Sequence, residues 1–494
     1  MIVSNRMART VRHPTPVRLD VTGRPVELRA IDLDTFFHPR TVAVVGASDT
    51  RGRPNTAMTT KIRDWAEKAG AAIYPVNPNR TQVGGLPCVP TILDVPVDVD
   101  LAAILVGEAV EALEEAVEKK ARFAVIFAAG FAEVGGAGAR LQARLEQLVR
   151  SSDLHVLGPN TNLNAFETFR DDLAPPTIAL ITQSGHQGRP IFQGQDLGIA
   201  LSHWAPTGNE VDLEVADFVR YFADQDEVGV IAAYVEGFKD GRTLMLAADH
   251  AASRGVPIVV VKVGRTDEGQ SMAMAHTGHL AGSDAVISGA LRQLGVIRVD
   301  GLDELLDTSA MLARTKPPSR PGASGSSSVG VCVYSISGGT GAHMADLVAA
   351  AGLRLPSLTA DTQRQLRQWI PSYLRVSNPV DNGGHPVTDW RGRKILDAIV
   401  ADPRVDVIIC PITGALPSMS QRLAQDLVDV ADTTDKPICV VWGSPVEDEI
   451  AYQQILLGSR LPVFRTFANC VRAVRSYVDY HEFRQNHRSP FSRP

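Results

Sequence analysis

Short apolar runs of strand character recur along this chain, each followed by a stretch with helical patterning. The first set is Thr41-Val-Ala-Val-Val-Gly-Ala-Ser48, Ala72-Ile-Tyr-Pro-Val-Asn-Pro78, Leu101-Ala-Ala-Ile-Leu-Val106, Phe123-Ala-Val-Ile-Phe127 and His155-Val-Leu-Gly-Pro-Asn160. Helical patterns such as Ala109 to Lys120 and Ala139 to Arg150 fill the gaps. A run that is apolar at successive positions suits a strand covered on both faces, and strand–helix alternation is how a chain builds a parallel sheet. A second set opens at Thr177-Ile-Ala-Leu-Ile-Thr-Gln-Ser-Gly185 and includes Gly229-Val-Ile-Ala-Ala-Tyr-Val-Glu-Gly237 and Pro257-Ile-Val-Val-Val-Lys-Val263. A third begins at Val329-Gly-Val-Cys-Val-Tyr-Ser-Ile-Ser-Gly-Gly339, with later strands at Val405–Cys410 and Pro437–Trp442. The chain therefore reads as α/β, with three Rossmann- or flavodoxin-like domains; 494 residues are too many for one core.

The expected divisions are an N-terminal extension over 1–32, domains over 33–172, 173–314 and 329–478, and a frayed polar tail over 479–494. Residues 315–328, rich in Pro, Gly and Ser, read as a flexible linker. A net charge of −6 gives no reason to expect nucleic acid or an anionic membrane as partner. No apolar run is long enough to span a bilayer, and the first residues lack the apolar core of a secretory signal. Five widely spaced cysteines with no C-x-x-C pair indicate reduced thiols in a cytoplasmic protein and no metal site.

Chemistry-bearing residues gather where strands end, the edge at which α/β folds bind ligands. Met274-Ala-His-Thr-Gly-His-Leu-Ala-Gly-Ser-Asp284 follows the Pro257–Val263 run. Its His276, ringed by small residues, is a candidate nucleophile for phosphorus, since neutral imidazole attacks at neutral pH. Taken alone, the same stretch reads more readily as a loop histidine in an ordinary strand–helix connection. Glu236, at the end of its strand, could orient an imidazole, or could be a solvated carboxylate. Ser184-Gly185 and Ser337-Gly338-Gly339 each place a hydroxyl and backbone N–H groups at an expected helix start, a site suited to phosphate. Gly46, Ala47 and Ser48 end the first strand without a G-x-G-x-x-G pattern. Asn77-Pro78 stands where an NAD-binding fold carries an acidic ribose ligand. His279, three residues past His276, has no companion ligands at metal spacing. Gly130 and Asn160 end two further strands and could bond a carboxyl or acyl-phosphate oxygen, or be loop geometry.

In this order the pieces resemble the nucleoside-diphosphate-forming acyl-CoA synthetases, the ADP-forming relatives of succinyl-CoA synthetase. The resemblance rests on Phe36-Phe-His-Pro-Arg-Thr-Val-Ala-Val-Val-Gly-Ala-Ser48, Ala129-Gly-Phe-Ala-Glu133, Gly158-Pro-Asn160, Gln183-Ser-Gly185, Tyr234-Val-Glu-Gly-Phe-Lys-Asp-Gly241, the His276 stretch and Asn378-Pro-Val-Asp381. It implies a CoA-binding domain followed by two ligase-CoA-like domains. His276 would carry a phosphoryl group and Glu236 would orient it. The two Ser-Gly segments would face the phosphate, and Gly46, Ala47, Ser48, Asn77 and Pro78 would hold CoA. Gly130 and Asn160 would touch the substrate.

Several positions depart from the family pattern. Thr161 stands for a Cys, Ala129 for a Ser and Gly107 for a Pro; Ala275 and His279 replace a Ser and an Ala beside the key histidine. Single-chain members also carry an ATP-grasp region of roughly two hundred residues, for which the three blocks here leave no room. The resemblance thus implies the alpha subunit of an acid–CoA ligase. A separate ATP-grasp beta subunit would hold ATP/ADP and Mg2+, in a heterotetramer, and the substrate would be a small carboxylic acid. Two other classes remain: a CoA-binding regulatory or scaffold protein without ligase activity, and a nucleotide-binding oxidoreductase.

Overall fold

A computed structural model describes residues 28–277, 283–318, 329–414 and 416–491, with the side chains of 273–277 outside the described set. Among these residues, fifteen strands form three five-stranded parallel sheets. The first holds β1 (Thr41–Val45), β2 (Ala72–Val76), β3 (Leu101–Ile104), β4 (Phe123–Ile126) and β5 (His155–Leu157). The second holds β6 (Thr177–Thr182), β7 (Leu201–Pro206), β8 (Val228–Val235), β9 (Ile258–Lys262) and β10 (Ile297–Val299). The third holds β11 (Val331–Ser335), β12 (Val380–Asp381), β13 (Val407–Ile412), β14 (Ile438–Trp442) and β15 (Val463–Phe464). Counted from its own first strand, every sheet has the order 2-1-3-4-5. In that order the chain reverses direction across the sheet between the first and third strands, and the crevice beyond their C-terminal ends is where such folds bind ligands.

The strands form because their runs are apolar on both faces. Val42, Val44, Ile178, Leu180, Val331 and Val333 are all fully buried between helix layers. The helices obey local rules: Pro54 opens the helix Pro54–Ala69, and Gly70, at φ +72°, closes it in the left-handed region. Among the described residues no helix is long and apolar enough to cross a membrane.

Aromatic and polar contacts join the three units. Phe37 stacks on Tyr221 of the helix Val215–Ala223, with ring centroids 5.5 Å apart, and binds the first unit to the second. The helix Phe467–Asn486 lies along the helix Leu302–Arg314, where the Asn469 amide donates to Asp303 (3.0 Å) and Asp307 (2.9 Å). This docks the third unit on the second.

Both expected ends need correction. Residues 28–32 are part of the fold: Leu28 and Ile31 pack on the core. The Arg29 guanidinium bridges Asp212, at 2.6 Å, and Asp217. The expected frayed tail continues the last helix to Asn486. Tyr480 and Phe483 extend its apolar face, Tyr480 being buried, and Ser489 donates to Asp249 (2.7 Å). A polar composition concealed both, because the anchoring groups are ion pairs and single aromatics. Of the expected linker, residues 319–328 lie outside the described residues.

Asp212 and Asp217 are both nearly buried, and the Asp212 carboxylate also meets His155 Nδ1 at 2.9 Å. Removing Arg29 leaves two close carboxylates without their shared cation. Arg29→Met should destabilise the chain by about 2 kcal/mol, below the usual cost of breaking a buried pair because the guanidinium is partly exposed. Urea unfolding of the variant against the parent protein measures it.

Candidate active site at the sheet edges

At the edge of the first sheet, β1 ends in Gly46, whose φ of +85° and close approach to Val106 exclude a side chain: a Cβ would lie 2.6 Å from Val106 Cγ1. The Asn55 amide donates to Gly46 O (3.1 Å) and Leu105 O (3.3 Å), tying the ends of β1 and β3 together across the reversal point. A cleft of about 480 Å³ opens here, lined by Gly46, Asn77, Pro78, Val106 and Glu108 among others. The helix starting at Pro54 has no acidic residue in its first turn, and Arg51 and Arg53 are exposed on the loop before it. Pro54 has no N–H and Thr56 N–H donates to Arg53 O (3.2 Å), so the groups that suit a pyrophosphate here are the Arg51 and Arg53 cations, beside a cleft that also carries Glu108, Glu111 and Glu115. Two expected ligands are displaced from this cleft. Ala47 is fully buried and its carbonyl accepts from the Asn77 amide (2.9 Å); Ser48 is buried against Thr50, Thr56 and Thr59. Both shape the loop from behind.

At the second sheet, Gln183 bridges the reversal point. Its Nε2 donates to Gly237 O (2.7 Å) and to Glu210 Oε1 (3.0 Å), while its Oε1 accepts from the N–H groups of Glu236 (2.6 Å) and Gly237 (3.0 Å). All four hydrogen-bonding positions of the amide are used. Glu236, the first residue beyond β8, is thereby held by its backbone at the edge, with its side chain half-buried. Lys262 donates to Glu236 O (2.8 Å) from the end of β9, and burial lowers its pKa.

Ser184-Gly185 does not start a helix. Residues 185–188 form a turn, followed by the four-residue helix Arg189–Phe192 and the 3-10 segment Gln193–Leu197. The two glycines of the turn are closely packed. A Cβ on Gly185 would lie 1.7 Å from the Asn162 amide, and one on Gly188 would lie 2.1 Å from Trp204. Residue 276 is also placed differently from expectation: it falls in the last turn of the helix Asp267–Thr277, built from helix-favouring Ala and Met, and not in a loop. Its side chain, and His279 with its neighbours 278–282, lie outside the described residues.

At the third sheet, Ser337 stands before the helix Gly338–Ala350, and Gly338 and Gly339 are exposed in its first turn. The Thr340 and Thr413 hydroxyls meet at 3.1 Å across this reversal point. A carboxylate already faces the helix start: Asp381 Oδ2 lies 2.7 Å from where a Cβ on Gly338 would sit.

Gly130 and Asn160 are engaged within the protein. Gly130 N–H donates to Glu133 Oε1 (2.6 Å), and the Asn160 amide donates to Asn209 Oδ1 (3.2 Å). Asn209 donates in turn to Glu133 Oε2 (2.6 Å), so both motifs lock the first unit onto the loop 207–212 of the second. In that loop Glu210 was invisible to pattern reading. It is buried beneath Gln183 and Thr207, whose hydroxyl donates to it at 2.8 Å. Burial pushes its pKa up to about 8, against the opposing pull of those two donors.

Between the first and second edges lies a cavity of about 590 Å³, with Leu105 and Phe127 on one side and Gly185 and His186 on the other. Among the described residues no cluster of three or more His, Cys, Asp or Glu could hold a metal ion.

Three domain families match in succession: a CoA binding domain over 40–166, a succinyl-CoA ligase like flavodoxin domain over 175–312 and a ligase-CoA domain over 331–487. The chain is 30% identical over 455 residues to acetate–CoA ligase [ADP-forming] I of Archaeoglobus fulgidus, covering 90% of this chain and 62% of that protein. It thus spans less than two thirds of that relative's length. It is 32% identical to the alpha subunit of acetate–CoA ligase [ADP-forming] II of Pyrococcus furiosus, covering 76% of this chain and 81% of that subunit. Among solved structures, the dinucleotide forming acetyl-coenzyme A synthetase 1 of Ca. Korarchaeum cryptofilum, in complex with phosphate and ADP, superposes with a TM-score of 0.80 at 27% identity. The match covers 92% of this chain and 98% of that one.

Glu210 supplies a pH signature of this edge. Its folded pKa of about 8 lies above the ordinary 4.5, so its contribution to stability is complete below pH 4.5 and is lost as pH rises towards 8. Glu210→Gln keeps the shape and removes the titration. Melting curves from pH 5 to 8.5 should show the parent losing several degrees of Tm relative to the variant across that window.

Proposed function

Since the chain belongs to the family of ADP-forming acyl-CoA ligases, we propose that it is the alpha subunit of an acid–CoA ligase. It would work with a separate beta subunit of ATP-grasp fold that binds ATP/ADP and Mg2+. The name of the Pyrococcus furiosus relative, a subunit alpha, supports the division of labour. The observation that carries the reading is the cavity shared by the CoA-type edge of the first sheet and the Ser184-Gly185 turn of the second. A thiol held at one edge and a phosphate at the other would meet there.

In this reading the γ-phosphoryl of ATP passes to an imidazole nitrogen of His276 and ADP leaves. A carboxylate oxygen of the acid then attacks phosphorus, the P–N bond breaks, and an acyl phosphate forms. The thiol sulfur of CoA attacks its carbonyl carbon, and phosphate departs. Each step reverses for ATP synthesis. The chain's own contributions are positional. Gln183 fixes the Glu236 backbone at the edge where the carboxylate would orient His276. Arg51 and Arg53, exposed after β1, and the exposed Gly338-Gly339 segment beside Asp381 would face the anions, the electrostatic stabilisation that phosphoryl transfer needs. Residue 276 would travel between subunits, a gating motion of the kind that commonly limits such enzymes.

Incubation of the chain with an ATP-grasp partner and γ-labelled ATP should yield an acid-labile, base-stable phosphate on His276. His276→Asn should reduce both the label and acyl-CoA formation to background. A variant that retains acyl-CoA formation contradicts the mechanism. CoA binding without any label in the partner's presence would favour a CoA-binding scaffold, a reading that the altered positions Thr161 and Ala129 bring forward.

A further inference from the structure

The cavity between the first two sheets is larger than a two-carbon acid needs. It is a cleft open to solvent, and its 590 Å³ is within the roughly 300–1,000 Å³ range of small-molecule sites. One wall is apolar, formed by Met58, Leu105, Phe127 and Leu163. Phe127 is backed by Phe166, with centroids 6.0 Å apart, and Phe166 in turn by Trp65 at 4.9 Å and 89°. The aromatic surface is therefore held rigidly.

The lining also carries polar residues, most of whose hydrogen bonds go to protein atoms. The Thr161 hydroxyl donates to Pro206 O. Asn162 Oδ1 accepts from Asn164 N–H (2.9 Å), and the Asn164 amide donates to Gly185 O (2.6 Å) and accepts from Arg189. Arg189 is paired with Glu167 at 2.6 Å. Thr161, Asn164 and Arg189 are engaged before any ligand arrives, which leaves His186 and the Asn162 amide N–H for the carboxyl end of an occupant and Phe127 for an aromatic body.

We propose that this cavity holds the acyl group and selects a carboxylic acid with a ring-sized apolar body, an aryl or arylalkyl acid, over acetate. The inference rests on the acid–CoA ligase reading. The carboxyl end lies towards Gly185 and the ring against Phe127, which makes Phe127 a specificity-determining residue. Thr161, where the family carries a Cys, contributes shape here, because its hydroxyl is already bound.

Calorimetric titration of the full chain with CoA, acetyl-CoA and phenylacetyl-CoA tests this. Phenylacetyl-CoA should bind roughly tenfold or more tighter than acetyl-CoA, as burial of a ring's apolar surface demands. Ala128→Trp, which fills the cavity, should bring the two affinities together. Binding of all three ligands with equal affinity overturns the substrate class and leaves the ligase reading intact. Failure of CoA itself to bind overturns the CoA-site reading, and the inference with it. An Ala128→Trp variant that binds CoA yet keeps the preference also overturns the inference, and if that variant does not fold, the parent comparison decides alone.

Discussion

The second sheet's edge depends on one buried amide. Gln183 leaves β6 at the point where the chain reverses, and its four hydrogen bonds reach Glu236 and Gly237 beyond β8 and Glu210 in the loop after β7. A buried amide with all positions satisfied tolerates no other arrangement of its partners, because any displacement leaves a polar atom unbonded. The positions of the Glu236 backbone, the loop 207–212 and, through Asn209, the first unit's Gly130 and Asn160 motifs all follow from it. What looked like separate motifs along the chain is one hydrogen-bonded assembly between two sheets.

The architecture was legible in the sequence because parallel strands advertise themselves. Runs such as Ala72–Val76, Leu101–Ile104 and Ile258–Val261 are apolar at consecutive positions, and each lies in a strand of the structure. The shared 2-1-3-4-5 order was not legible, since it depends on pairings between distant segments. It explains why the residues singled out by pattern cluster at strand ends: each sheet has one reversal point, and the loops leaving it carry Gly46, Gln183 to Gly185, and Ser337 to Gly339.

The candidate site was legible only in part, for a physical reason. Motif reading identifies residues at an edge but not where their hydrogen bonds go. Ala47, Ser48, Gly130 and Asn160 stand at ligand-like positions, yet their polar groups are turned to the protein. Ser184-Gly185 looks like a helix start but opens a turn, whose Gly185 and Gly188 have no room for a side chain against Asn162 and Trp204. Conversely, Gln183 and Glu210 matter through partners 27 to 54 residues away, a distance over which no local pattern operates. The ends of the fold were missed in the same way: Arg29 pairs with residues more than 180 positions away.

The proposed reaction places its chemistry where two sheet edges open on one cavity, and a crystal structure of the chain with an acyl-CoA tests that most directly. The pyrophosphate is expected beside Arg51 and Arg53 after Gly46 and the thioester between Leu105 and Gly185, with the acyl group against Phe127. A thioester found elsewhere, with the Leu105–Gly185 cavity left to solvent, would contradict it.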